Sequence, residues 1–312
     1  MGALSRHDIE VAAEHIEGRV RRTPAIHLEK AAFGLDAEIS LKLELFQHTG
    51  SFKPRGAFNR ILSAEIPAAG VITASGGNHG QAVAYASKVL GIKAEIFVPE
   101  GSPALKAERI RRYGGAVTVI GQYYDDAMDA CRERAAETGA LLVHPYDHPD
   151  VVAGQGTVGR EMEAQLPEVD TVLVAVGGGG LAAGVAAWYR SERRVVTVEP
   201  EGCAALARAL DAGRPVEVSV GGIAADSLGA KQIGDVPFEV AREHVAAAVL
   251  VSDEAIIEAR QRLWDSLRIV AEPGGVASLA ALLSFAYVPA PGERVAVIIC
   301  GGNTASLPDP PH

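Results

Sequence analysis

The chain has 312 residues, 48% of them hydrophobic and only 5% aromatic, and its formal net charge is -10. This length suggests two domains or one large unit, and the acidic balance argues against a nucleic-acid or anionic-membrane surface. The three cysteines, Cys131, Cys203 and Cys300, are far apart and lack zinc-site spacing, which favours a reducing compartment. The first ten residues lack the apolar core of a signal peptide, and no apolar run is long enough for a membrane helix. We therefore expect a cytoplasmic protein that binds neither nucleic acid nor membrane.

Taken in chain order, segments with strand character alternate with segments of helical spacing. The predicted strands are Leu41 to Leu45, Val71 to Thr73, Ala94 to Val98, Val117 to Ile120, Leu141 to His144, Val172 to Val176, Val195 to Val198 and Val295 to Ile299. The predicted helices are Gly80 to Leu90, Ala104 to Tyr113, Asp125 to Thr138, Ala153 to Leu166, Leu181 to Arg190, Ala204 to Ala212, Asp253 to Arg268 and Gly275 to Phe285. This alternation predicts an α/β fold in which helices flank mainly parallel sheets.

Three of these strands end in glycine-rich loops, which are Ser75 to Gly80, Gly177 to Gly180, and Gly301 to Asn303. Ligands of open α/β sheets bind at the carboxyl ends of strands, so we expect the three loops to meet at one crevice. Four consecutive glycines before a helix allow the backbone to approach an anion closely. The loop lacks both the P-loop and the dinucleotide-binding patterns, so a compact phosphate fits better than a nucleotide. A tight turn that needs positive φ is the alternative for this loop alone.

Lys53 lies in the segment Thr49 to Ala57, between an aromatic residue and a proline. A lone lysine is usually a surface residue, but the motifs around this one form an ordered set. These motifs are Lys42 to Glu44, Thr49 to Ala57, Ala74 to His79, His144 to Thr157, Gly177 to Leu181, Val198 to Pro200, Glu272 to Pro273 and Cys300 to Asn303. The set resembles the fold type II family of pyridoxal-phosphate enzymes, in particular its serine/threonine dehydratase and serine racemase branch.

The resemblance implies two doubly wound, mainly parallel sheets with flanking helices. Residues 1–69 and 148–312 would form a large cofactor-binding domain, and residues 70–147 a small inserted domain. It also implies a homodimer. The sequence ends at His312, soon after Asn303, so we expect no regulatory domain and no feedback inhibition.

The same resemblance assigns roles to residues that would hold the cofactor. Lys53 would be the Schiff-base lysine and the base at the substrate Cα, with Phe52 packing near the cofactor ring. Asn78 would hydrogen-bond the phenolic oxygen, and Cys300 would be the partner of the pyridine nitrogen. The phosphate would be held by the loop residues Gly177, Gly178, Gly179, Gly180 and Leu181.

The residues implied for the substrate carboxylate are Ser75, Gly76, Asn78 and His79, which lie where a strand meets a helix N-terminus that favours anions. For His79, a structural hydrogen bond within its loop is the alternative. Gly76 stands where serine racemases of the family have a second serine, which serves the opposite face of the substrate. We therefore expect a lyase with little racemase activity.

Two further positions bear on the expected chemistry. A thiol at Cys300 is mainly neutral at pH 7, so it makes the cofactor ring a weaker electron sink than a carboxylate would. This favours prompt loss of a β-substituent. Some relatives build a metal site with Glu199 and a carboxylate where this chain has Ala205, so we expect no tight metal and a structural Glu199.

The activity implied is α,β-elimination of water and ammonia from a small β-hydroxy amino acid such as L-threonine or L-serine, giving a 2-oxo acid. Hydroxyaspartate or phenylserine dehydration and serine racemisation are alternatives. Another is β-replacement of the cysteine-synthase type, although that group usually has Thr at the position of His79. A non-catalytic carrier of a cofactor or nucleotide would leave Lys53 and His79 without a role.

Overall fold

The computed structural model describes residues 4–29, 31–100, 102 and 104–308. Its strands are β1 Ala25–His27, β2 Glu38–Leu43, β3 Val71–Ala74, β4 Ala94–Val98, β5 Ala116–Val119, β6 Leu141–Leu142, β7 Thr171–Ala175, β8 Arg194–Pro200, β9 Ala247–Val251 and β10 Arg294–Ile299. Its α-helices are α1 Arg6–His15, α2 Pro54–Leu62, α3 Asn78–Leu90, α4 Ala104–Arg112, α5 Tyr124–Thr138, α6 Pro149–Gln165, α7 Gly180–Tyr189, α8 Ala205–Ala212, α9 Ala225–Leu228, α10 Asp235–His244, α11 Asp253–Leu267 and α12 Pro273–Leu283. None of the helices within the described ranges is long and apolar enough to cross a membrane.

The strands form two sheets. The larger has six strands in the order β1-β2-β10-β7-β8-β9, and all its pairs are parallel except β1 with β2. The smaller has four parallel strands in the order β5-β4-β3-β6. This confirms the predicted α/β fold with two mainly parallel sheets. The strands of the smaller sheet lie within residues 70–147, while the domain boundaries themselves stay a prediction.

The central strands of the larger sheet are buried on both faces. Every residue of β7 is buried, and its sequence is nearly uniformly apolar rather than alternating. Helix α7 is buried along its whole length and α12 along almost all of it, so neither carries a polar face. Strands that read as continuous apolar runs are typical of parallel sheets covered by helices.

The structure corrects several predicted bounds and adds elements. The strand predicted to reach Leu45 ends at Leu43, and Glu44–Phe46 forms a short 3-10 helix. The strand predicted to reach His144 pairs only over Leu141–Leu142, after which the chain turns. Elements that the sequence did not predict are β1, β9, α1, α2, α9 and α10.

This topology brings the predicted loops together. The carboxyl end of β3 leads into Ser75 and the start of α3, and that of β7 leads into the four-glycine loop and α7. The end of β10 leads to Cys300, which lines the same cleft as Asn78 and the glycine loop. Two of the three predicted loops therefore line one crevice, and the third, Gly301 to Asn303, begins directly after Cys300 and is hydrogen-bonded to Asn78.

Candidate active site

A cleft lies where these loops meet. It is lined by Phe52, Lys53, Asn78, Pro145, Tyr146, Gln155, Ala175, Gly177, Gly178, Gly179, Gly180, Leu181, Ser227, Leu228, Glu272, Gly274 and Cys300. Every residue that the sequence analysis assigned to the cofactor is in this set.

Lys53 immediately precedes α2, whose first residue is Pro54. Its Nζ donates a hydrogen bond to the Pro145 carbonyl at 2.9 Å and lies 5.2 Å from the centre of the Phe52 ring. Burial lowers the pKa of the Lys53 amine to about 8, against the opposing influence of Cys300 and Glu272. The amine is therefore still mainly charged at pH 7, but a far larger share of it is neutral than of an ordinary lysine, and the neutral form is the one that acts as a nucleophile or base.

A buried charge cluster, made of Lys42, Glu44, Arg55 and Glu161, fixes the start of α2. Arg55 Nε and Nη2 each donate to Glu44 at 2.8 Å, and Nη2 also donates to Glu161 at 2.5 Å. Lys42 Nζ donates to Glu161 at 2.9 Å. Because Arg55 is two residues from Lys53 and Glu161 belongs to α6, the cluster connects the lysine segment to the helix that follows Pro145.

The four-glycine loop has no room for side chains. A Cβ on Gly178 would collide with the Tyr146 ring, and one on Gly179 would lie 2.5 Å from Ile233 Cδ1. Gly179 also has φ 91°, which L side chains rarely adopt. The loop opens α7, whose first amides have no partner within the helix, so it offers donors to an anion in the cleft.

Asn78 is the one member of the predicted substrate set that lines the cleft among the described residues. Ser75 Oγ accepts a hydrogen bond from the Gly77 amide at 3.3 Å, within the loop. His79 is buried, and its Nε2 lies 2.9 Å from the Val143 carbonyl oxygen. Burial lowers the pKa of His79 to about 3, and the Lys53 charge acts in the same direction. The neutral, buried ring favours a structural role for His79, although its partner lies in a different segment and not within its own loop as predicted; the substrate contacts stay a prediction.

A side chain at the position of Gly76 would point toward the hydroxyl group of another residue. A Cβ built on Gly76 would lie 3.1 Å from Ser102 Oγ and 3.7 Å from Val98 Cγ1. A residue from another loop therefore comes close to the space that a serine at this position would use.

Cys300 directly follows β10 and is buried, with its Sγ 3.6 Å from the Gly274 carbonyl oxygen. Burial raises the pKa of the Cys300 thiol, and the nearby Glu272 carboxyl acts in the same direction. The thiol is therefore protonated at neutral pH and provides an uncharged group.

Glu272 is a cleft residue to which the sequence analysis gave no role, although it quoted the Glu272-Pro273 motif. Its Oε1 accepts a hydrogen bond from Asn78 Nδ2 at 2.6 Å. Burial raises the pKa of its carboxyl to about 7, and the bond from Asn78 opposes this shift. Tyr146 and Gln155 also line the cleft; they lie within the quoted motif His144 to Thr157, but the sequence analysis gave neither a role.

Glu199 lies outside the cleft, and both its oxygens accept backbone hydrogen bonds. The donors are the amides of Leu206 at 2.7 Å and Ala207 at 2.8 Å, in the first turn of α8. Within the described residues, no group of three or more His, Cys, Asp or Glu side chains is arranged to hold a metal ion. The carboxylate stabilises the helix start.

A family model described as pyridoxal-phosphate dependent enzyme matches residues 16–301. The chain belongs to this family. Its cofactor is accordingly pyridoxal phosphate, and the cleft fits it. The cleft is lined by the amine of Lys53, the amide of Asn78, the neutral thiol of Cys300 and a glycine loop at a helix N-terminus. A Cβ at Gly178 in this loop would collide with a neighbouring ring.

Named relatives and a solved structure agree with this assignment. The chain is 38% identical to the L-threonine ammonia-lyase of Thermotoga maritima over 305 residues, which cover 96% of this chain and 76% of that protein. It is 41% identical to the biosynthetic L-threonine dehydratase of Escherichia coli over 287 residues, covering 90% of this chain but only 56% of that enzyme. Its fold matches the structure of maize serine racemase with a TM-score of 0.91 and 34% identity, covering 97% of this chain and 94% of that one.

Proposed function

We propose that this enzyme eliminates water from L-threonine or L-serine and releases the nitrogen as ammonia, leaving a 2-oxo acid. The observation that carries the proposal is the buried Lys53 amine, whose pKa is lowered, in the same cleft as the protonated thiol of Cys300. The names of the relatives from Thermotoga maritima and Escherichia coli support the same reaction. 3-Hydroxyaspartate and phenylserine remain candidate substrates.

Five groups would hold pyridoxal phosphate. Lys53 would bind its aldehyde carbon covalently, with Phe52 beside the ring, Asn78 would donate to its phenolic oxygen, and Cys300 would face its pyridine nitrogen. Residues 177–181 would bind its phosphate. When bound, the cofactor withdraws electrons from the substrate Cα.

The protein's own contribution is to move a proton and to orient the substrate. Once the substrate amine has displaced it, Lys53 would take the proton from Cα as its neutral amine. The β-hydroxyl would leave with a proton as water, and hydrolysis would then return one water and release ammonia, so that atoms balance. Because Cys300 carries no charge, the electron pair from the Cα–H bond would promptly form the Cα=Cβ double bond, while the pair of the breaking Cβ–O bond leaves with the hydroxyl.

Serine racemisation is the second candidate, and one observation favours it. Ser102 Oγ would lie 3.1 Å from a Cβ at Gly76, so a hydroxyl from a different loop is near the position that serine racemases use. Racemisation needs an acid or base on each face of Cα, and a positioned group typically contributes about 100-fold to 10,000-fold. Gly76 itself carries none, which supports elimination as the main reaction.

The test is to incubate the purified, cofactor-loaded protein with L-serine, L-threonine, 3-hydroxyaspartate and phenylserine, and to measure 2-oxo acid and the chirality of the remaining serine. Lys53→Ala should lose all turnover, whereas Lys88→Ala, an exposed lysine of α3, should keep it. Addition of sulfide to the reaction with L-serine should give no cysteine, which is the product expected of β-replacement. D-serine formed as fast as pyruvate would favour racemisation, and oxo acid production by Lys53→Ala would contradict the proposal.

We also propose a cytoplasmic homodimer. All three cysteines are buried and free, which supports a reducing compartment. Analytical ultracentrifugation would test the dimer.

A further inference from the structure

A directed chain of hydrogen bonds joins four segments of the chain beside the cleft. Asn303 Nδ2 donates to the Thr49 carbonyl at 2.6 Å and to Asn78 Oδ1 at 2.7 Å. Asn78 Nδ2 in turn donates to Glu272 Oε1 at 2.6 Å. Both ends of the Asn78 amide are therefore occupied, and each by a different partner.

The direction of this chain is set at Thr49. A backbone carbonyl only accepts hydrogen bonds, so the Asn303 atom that faces it must be the nitrogen. The same nitrogen reaches Asn78, so the Asn78 atom on that side must be the oxygen, and its nitrogen lies on the other side. Glu272 could not set this direction, because a carboxyl whose pKa is about 7 can be an acceptor or a donor near neutral pH.

The backbone holds the Thr49 carbonyl in position. Thr49 has φ 61° and Gly50 has φ 76°, so two successive residues are left-handed, which is unusual for a β-branched threonine. The Gly302 amide donates to the Gly50 carbonyl at 2.9 Å and connects this turn to the loop of Asn303. A Cβ at Gly301 would collide with Glu272 Oε1, so glycine is needed for Glu272 to reach Asn78.

We propose that Asn303 is a positioning residue that fixes the orientation of the Asn78 amide, so that Nδ2 rather than Oδ1 faces the cleft. An amide nitrogen carries two hydrogens, and Glu272 takes one, which leaves the other for an acceptor in the cleft. The inference rests on the proposed function, in which that acceptor is the phenolic oxygen of pyridoxal phosphate. A donor there stabilises the deprotonated oxygen, whereas an acceptor would favour the protonated one.

Asn303→Asp reverses the polarity with little change in shape. The carboxylate only accepts, so Asn78 is expected to turn its Nδ2 toward it and its Oδ1 toward the cleft. Loss of one hydrogen bond to a charged oxygen should weaken cofactor binding by about 10- to 100-fold. Asn303→Leu removes the donor without adding charge and should have a smaller effect in the same direction. Thr304→Val is the control, since the Thr304 hydroxyl bonds Ser306 rather than Asn78.

The readouts are the pyridoxal phosphate dissociation constant, the melting temperature, and the absorbance of the bound cofactor between pH 6 and 9. Both Asn303 variants should shift the spectrum from the long-wavelength band of the deprotonated phenolic oxygen to the short-wavelength band of the protonated one. Thr304→Val should leave both bands and the affinity unchanged.

A double variant separates orientation from structural support. In Asn303→Asp combined with Glu272→Gln, the new side-chain amide can donate to the reversed Asn78 oxygen, so part of the lost melting temperature should return. The absorbance should stay shifted, because Asn78 still presents its oxygen to the cleft. The inference is wrong if the Asn303 variants keep the parent spectrum and affinity, or if the double variant regains the parent spectrum together with its stability. A parent protein that binds no pyridoxal phosphate would instead refute the proposed function, and the inference with it.

Discussion

Glu44 is the group whose removal should most disturb the segment that holds Lys53. It is fully buried and accepts hydrogen bonds from Arg55 at 2.8 Å and from Thr23 Oγ1 at 2.5 Å. Burial alone would raise the pKa of this carboxyl, but Arg55 and Lys42 hold it below its ordinary value. Glu44→Gln therefore leaves two buried cations with Glu161 as their remaining carboxylate partner in the buried charge cluster.

The expected loss of stability follows from this geometry. Removal of one member of a buried ion pair typically costs about 3–5 kcal/mol, because the remaining charge is left without compensation. Glu108→Gln is the matched control, since Glu108 pairs with Arg112 across one turn of α4 with both side chains more than half exposed. An exposed pair of this kind contributes about 0–1 kcal/mol.

Urea unfolding at saturating pyridoxal phosphate measures both variants against the parent. Lys42→Met combined with Glu44→Gln restores a neutral cluster and should recover part of the loss, so the two changes should be non-additive. The reasoning is refuted if Glu44→Gln loses no more stability than Glu108→Gln, or if the effects of Lys42→Met and Glu44→Gln simply add.

Three further outcomes are expected. Gly178→Ala should weaken pyridoxal phosphate binding at least about tenfold in a titration, because its Cβ would collide with the Tyr146 ring and displace the loop; unchanged affinity would contradict this. The rate at which the apoenzyme captures pyridoxal phosphate should rise with pH and level off above the Lys53 pKa of about 8, since only the neutral amine reacts, and a flat profile from pH 6.5 to 9.5 would exclude that control. Cys300→Ser should keep substantial 2-oxo acid production, whereas Cys300→Asp should reduce it by protonating the cofactor ring; equal rates in the Asp variant and the parent would disprove the role given to a neutral group.

Strong local patterns allowed much of the fold to be predicted. The strand Ala94–Val98 was predicted to the residue, because it is short and its second half consists of β-branched and aromatic residues, which favour strands. Strand β9 was missed, since it is a sheet-edge strand whose burial differs little from residue to residue. Helix α2 was missed because its segment mixes glycine with charged residues, and Arg55 owes its place there to partners distant in sequence.

The residues of the candidate site also fall into two groups, those that the sequence predicted and those whose position depends on the fold. Lys53 and Asn78 were predicted through the resemblance that the ordered set of motifs carries, and the glycine loop also from its place between a strand and a helix. The position of Glu272 beside Asn78 could not be predicted, because the two are 194 residues apart and meet only through the packing of two loops. The same holds for Ser102, which approaches Gly76 from the loop that follows β4.

The covalent site of the cofactor is the central claim and can be measured directly. Reduction of the cofactor-loaded protein with borohydride, followed by digestion and mass spectrometry, identifies the lysine that carries the phosphopyridoxyl group. We predict that Lys53 alone is labelled, with loss of the yellow colour. Labelling of a different lysine, or labelling of Lys53→Ala to the same extent, would contradict the account.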